Sequence, residues 1–294
     1  MATLTVTTIA NAGAGSLRET IAAAQSGDTI NFAASLANQT IILASELELP
    51  RSITIDGSTA PGLTISGNNA VRVFDVTGTG ITVNIRNLTI ADGRATTGVD
   101  EERAGAGIRG ASNTVLNVDT VLFENNVAGF AGAIYTGFSS TNTVTNSTFN
   151  NNDGTLDGSE RGGGAIATKS NGSLTVMGST FTNNQGINGG AINHLLGNLT
   201  IEDSTFIDNT TTQGTGTNTN GYGGAVYVDG ANASGPGFTP GSIGGTIAIR
   251  DSVFEGNTGK GQGGGLFLFV YDPDELILED NVVTNNQVIR AAIS

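Results

Sequence analysis

Along most of the chain, apolar and polar residues alternate in short runs. In "NLTIEDSTF" (198–206), Leu199 and Ile201 fall on one side and Thr200 and Glu202 on the other. A period of two residues means strand. Similar runs fill the first hundred residues: "TINFA", "QTIILASELEL", "RSITIDG", "LTISG", "VRVFDVTG" and "ITVNIRNLTIADG". They are spaced by about ten residues and bounded by Asn, Asp and Gly, which tolerate the left-handed backbone of sharp corners. Nothing between them reads as a helix, which excludes conventional helix crossovers. One segment breaks the rule: "GSLRETIAAAQSGD" offers Ser16 as N-cap, Glu19 for a capping box, Leu17, Ile21 and Ala24 on one face, and Gly27 as terminator.

From about residue 105 two landmarks recur in register. One is Phe-x-x-Asn: Phe123, Phe149, Phe181, Phe206 and Phe254, with Val283 in the same role, followed by Asn126, Asn152, Asn184, Asn209, Asn257 and Asn286. The other is an aliphatic residue after glycines: Ile108, Ile134, Ile166, Ile192, Val226 and Leu266. Most intervals are about 25 to 33 residues, the period of a solenoid coil. The fold expected is all-β: a right-handed parallel β-helix with three strands per coil and a short N-terminal capping helix over the open first coil. Phe stacks on Phe inside, and Asn on Asn at a corner. One domain spans 1–294: a cap over 1–35, coils without landmarks over 36–104, and landmark coils over 105–290. The end, "TNNQVIRAAIS", carries no cap signal, so a longer native chain is expected.

The paired landmarks resemble the repeats of the polymorphic outer-membrane protein family and related bacterial surface proteins. The opening "GSLRETIAAAQSGDTINF" resembles the start of large secreted bacterial β-helix proteins. The resemblance implies a β-helix, export to the surface or medium, and a role in adhesion or matrix. It implies no catalytic residue.

Composition narrows the partners. There are 26 acids against 12 bases, a net charge of −14, 44 glycines, no cysteine and no tryptophan. Nothing basic enough to meet nucleic acid is present, and no stretch approaches the roughly 20 apolar residues of a membrane span. Disulfides and thiol catalysis are excluded. The partners expected are an extracellular polysaccharide or another surface protein. The negative charge opposes binding of acidic sugars unless calcium bridges them, and the few tyrosines argue against an aromatic-lined groove.

Parallel β-helices also serve as polysaccharide lyases and epimerases, so an enzyme acting on acidic sugars with calcium is the alternative. The Gly-His-Gly and Arg-x-Lys tripeptides of polygalacturonase-like hydrolases do not occur, and "YDPD" lacks the histidine of the epimerase motif. The catalytic candidates are then Asp203, Asp251 and Asp280, at one place in three repeats, with Arg250. Asn87, Thr120, Asn146 and Gly178 hold that place in earlier repeats, a mixture that suits a left-handed corner. His194, the sole histidine, reads as a loop residue. For calcium, "GVDEERAG" supplies Asp100, Glu101 and Glu102, and "DGTLDGSERGGG" supplies Asp153, Asp157 and Glu160. Stacking brings these inserts together as a hard-cation site requires. Arg103 and Arg161 offer the same acids a metal-free pairing.

Overall fold

A computed structural model describes residues 1–158, 161–213, 221–232, 241 and 243–289. The described strands pair in parallel, and each pairs with the strand one coil on, as in Phe123↔Phe149↔Phe181↔Phe206↔Phe254↔Val283. The fold is therefore a parallel β-helix, of the right-handed sense that connections between parallel strands take. Each coil supplies three strands. The first and second sheets merge into one of 17 strands, because Thr82–Ala91 and Val115–Glu124 run round the corner between them. The third sheet has eight strands, from Leu47–Glu48 to Leu266–Phe269. Two-residue strands such as Arg94–Ala95 and Gln185–Gly186 add a narrow fourth ribbon before the third sheet.

Left-handed residues make the corners. Between the first and second sheets the corner residue is Asn87, Thr120, Asn146, Gly178, Asp203, Asp251 and Asp280 in successive coils, with φ between 48° and 59°. Short polar side chains and glycine tolerate that conformation best. The next residue in several coils is a serine whose Oγ accepts from the backbone of the coil before, as Ser179 Oγ does from Ser147 N at 3.1 Å.

Inside, the Phe rings from Phe123 to Phe254 stack with centroids 4.5–4.8 Å apart and planes within 8°. All are fully buried. Offset stacking at this spacing adds to their area burial. The Asn ladder runs beside them. Asn184 Nδ2 donates to Asn209 Oδ1 at 2.9 Å, and Asn209 Nδ2 to Asn257 Oδ1 at 3.0 Å. Each amide also caps a carbonyl in the Phe row of the preceding coil, as Asn209 does for Phe181 O at 2.9 Å.

The helix is Leu17–Ala23, with Ser16 Oγ accepting from Glu19 N at 3.3 Å. It ends at Ala23, earlier than Gly27. Leu17, Ile21 and Ala24 join the main core. Two further short helical turns, Ala34–Leu36 and Asp100–Arg103, occur where the sequence reads as loop.

Candidate functional site

The third sheet alternates like the others, but its outer face is covered differently. Inward it sends Ile108, Ile134, Ile166, Ile192 and Val226, in register. The next residues point outward as one row: Asp75, Arg109, Tyr135, Ala167, Asn193, Tyr227 and Phe267. Eight strands at about 4.8 Å make this face roughly 34 Å long.

A chain of clefts runs along it. The first, about 540 Å³, lies beside the helix and is lined by Arg18, Arg51, Glu46 and Glu48. It shares Ser45 and Glu46 with a second cleft of about 460 Å³, which holds Arg72, Arg94, Glu102 and Arg109. Arg109 is shared in turn with a third of about 330 Å³, lined by Asp75, Glu101, Tyr135 and Phe138. Tyr135 links that one to a narrow pocket with Phe130, Arg161 and Lys169. Seven of the chain's 12 cations line this groove, but only five of its 26 acids.

All four tyrosines lie on this side, although only Tyr135 lines the clefts. Tyr135 packs edge-on against Phe130, with Arg161 over the Phe130 ring at 4.7 Å. Further along, Tyr222, Tyr227 and Phe267 stack with planes within 19° of one another, and Tyr271 donates to Asp229 at 2.6 Å.

Most groove acids are tied to cations. Arg109 holds Asp75 in a fork at 2.8 and 2.5 Å, and this pairing raises the Arg109 pKa. Arg72 is buried, which lowers its pKa; Glu46 meets it at 2.5 Å and counters that. Burial would raise Glu101, but the hydrogen bond and charge of Lys169, at 3.0 Å, hold it below the usual carboxylate range. Burial, with the charge of Glu101 and a hydrogen bond to it, pushes the Tyr135 hydroxyl up and keeps it protonated.

The acidic inserts do meet. Arg103 of the first lies 3.8 Å from Asp157 of the second, and Arg161 of the second lies 3.8 Å from Asp100 and 3.7 Å from Glu101. Gly129 of the intervening coil is the spacer: its N donates to Arg103 O at 2.7 Å and its O accepts from Asp157 N at 3.1 Å. Asp153 turns back on its own loop, accepting from Thr155 N at 2.8 Å, and Glu102 accepts from Val99 N at 2.9 Å. Glu160 lies outside the described residues. Among the described residues no three acids converge on one point. The other candidates are far from this face. Asp203, Asp251 and Asp280 sit exposed at the corner between the first two sheets, and Arg250, on the first sheet, is bonded to Glu279 at 2.6 Å.

His194 is not a loop residue. It lies in the strand Ile192–Leu195, fully buried, in register with Thr168 and Val228. Nδ1 is 2.6 Å from Thr168 Oγ1, while Nε2 faces the Gly197 turn without a hydrogen bond of good geometry. Burial lowers its pKa to about 4. The unfolded ring takes its proton near pH 6.5, so the stability from keeping it neutral is present above that value. It drains away as pH falls towards 4, by up to about 3 kcal/mol. We expect His194→Thr, which repeats the residue one coil back, to lose this part of the acid sensitivity in urea melts at pH 7 and pH 4.5. Equal pH dependence in both proteins would remove His194 as the cause.

Residues 120–137 match the Chlamydia polymorphic membrane protein repeat. No curated protein matches. Two solved structures are similar over the solenoid. One is jun a 1, the major allergen from cedar pollen: 16% identity, TM-score 0.41, covering 100% of this chain and 82% of that one. The other is the pectin methylesterase from Aspergillus niger: 13% identity, TM-score 0.39, covering 99% and 90%. At these identities and scores neither assigns a site or an activity to this chain.

Proposed function

We propose that this chain is a non-catalytic β-helix of the cell surface or secreted matrix, and that its third-sheet groove holds an extended polysaccharide in adhesion or display. The observation that carries this is segregation: an acidic chain gathers seven of its 12 cations, and only five of its 26 acids, along one groove. The repeat matched at 120–137 supports a surface or secreted setting. The pairing of most groove acids with cations supports binding without turnover. The test is co-sedimentation of the chain with insoluble polysaccharides, together with chromatography of soluble ones after long incubation. Retention without shortening is expected. Unsaturated or shortened products, abolished by Asp251→Ala or Arg250→Ala, would establish the enzyme reading instead.

Calcium at the acidic inserts is a second reading, supported by the closeness of the two loops and by the Asp157 side chain, only 3% exposed. Arg103, Arg161 and Lys169 already meet Asp157, Asp100 and Glu101. We therefore expect the melting temperature to be indifferent to millimolar calcium and chelator. A rise with calcium, by mass action, that Asp157→Asn erases would assign the inserts to the metal.

A further inference from the structure

We infer that the groove takes a linear polyuronate, and that its carboxylates seat on the arginines at the helix-capped end. This rests on the groove being the binding face and names what it binds.

Three arginines carry the inference. Arg18 is held by carbonyl oxygens: Nη1 donates to Glu46 O at 2.9 Å, Nη2 to Ser45 O at 2.6 Å and to Asn11 Oδ1 at 3.3 Å, and Nε to Asn11 O at 3.3 Å. Arg51 donates to the carbonyls of Ala22, at 3.3 Å, and Ala24. Arg94, exposed in the second cleft, makes no side-chain hydrogen bond or ion pair among the described residues. Among the described residues none of the three meets a carboxylate, in a chain with 26 acids. Elsewhere the arginines face acids directly across the ladder: Arg86 lies 3.0 Å from Asp56 and Arg250 2.6 Å from Glu279. Guanidinium groups without a carboxylate partner are thus, among the described residues, found in this groove, at its helix-capped end.

Their chemistry selects the ligand. A guanidinium offers a planar fork of donors that fits a carboxylate. Arg51 is oriented through Nη1 alone, which leaves its Nε–Nη2 edge as the fork, so little side-chain freedom is lost on binding; Arg18, whose nitrogens already donate, adds its charge. The clefts are continuous through Ser45, Glu46 and Arg109, and so suit a linear chain rather than a single small anion. Past Arg109 the lining includes the half-buried Phe138 ring, apolar surface for a sugar ring, with Tyr135 almost wholly buried behind it. A polyuronate carries both features at a regular spacing. The net charge of −14, which by itself opposes acidic sugars, is carried largely by the other faces.

The test is titration of the intact chain at low salt with polygalacturonate, dextran, dextran sulfate and polyglutamate, followed by calorimetry. Polygalacturonate binding is expected to fall about tenfold or more in Arg51→Ala and Arg94→Ala, and to weaken steeply with salt, while Arg86→Ala changes nothing. Unchanged melting temperatures would show that the variants fold. Equal binding of dextran, untouched by these substitutions, would overturn the uronate inference and leave the groove reading standing. Binding to dextran sulfate alone, or equal competition by polyglutamate, would overturn it too, since the site would then read sulfate or bare charge. No binding to any of the glycans would overturn both readings.

Discussion

Gly190→Ala is expected to destabilise the solenoid by at least about 3 kcal/mol, as a methyl group forced into a packed interior with no room to relax. A Cβ on Gly190 would lie 2.0 Å from Gly224 O and 2.7 Å from Thr210 N. Both are backbone atoms held by the ladder, so neither can move alone. Gly132, Gly164 and Gly224 stand in the same relation to the coils beyond them. This is why the glycines before Ala-Ile recur: they let one coil lie directly on the next. Gly80 has φ +66° and nothing within 4 Å of the place a methyl group would take, so Gly80→Ala should cost only left-handed strain, about 1 kcal/mol. Urea melts of the two variants make the comparison. Equal costs would mean that conformational freedom, and not close approach, is what the repeat requires.

Asn209→Ala is expected to cost about 4–6 kcal/mol, because truncation strips four buried groups of one partner and each group left orphaned costs about 1–3 kcal/mol. Asn209 is fully buried. Its Oδ1 accepts from Asn184 N at 3.1 Å and Asn184 Nδ2 at 2.9 Å, and its own Nδ2 donates to Phe181 O at 2.9 Å and to Asn257 Oδ1 at 3.0 Å. Thr175→Ala, on the outer face of the first sheet, should stay within about 0.5 kcal/mol. If the Asn209 variant melted with the Thr175 variant, water would have to replace the ladder at no cost.

The fold was legible because its constraints are local and repeated. Period-two strands, Phe-x-x-Asn and Gly-Ala-Ile each appear several times in register, and each answers one physical need: rung, amide ladder and close approach. The corner series from Asn87 to Asp280 was legible for the same reason, since Asn, Asp, Thr and Gly at one place mark a left-handed backbone. The groove was not legible. Arg18, Arg51, Arg94, Arg109 and Lys169 share no motif, and their sequence separations follow insert lengths and not a period. Only the coil shows that they face one way. His194 misled because it follows Asn193 and precedes Leu195-Leu196-Gly197, which reads as a turn. The ring is in fact the last inward position of a strand. The acidic inserts approach each other through Arg103 and Arg161, and counting carboxylates says nothing of where those arginines place themselves.

If the third sheet is the face that meets the partner, the chain supplies its own reporters. Four tyrosines lie on that side, tryptophan is absent, and a threonine row, Thr143, Thr175 and Thr200, occupies the outer face of the first sheet. The direct measurement is NMR of the chain labelled selectively at tyrosine and threonine during polysaccharide titration. The Tyr135 ring signal should shift saturably while the signals of Thr143, Thr175 and Thr200 stay in place. Binding that moves those threonines and leaves every tyrosine unchanged would contradict the assignment of this face.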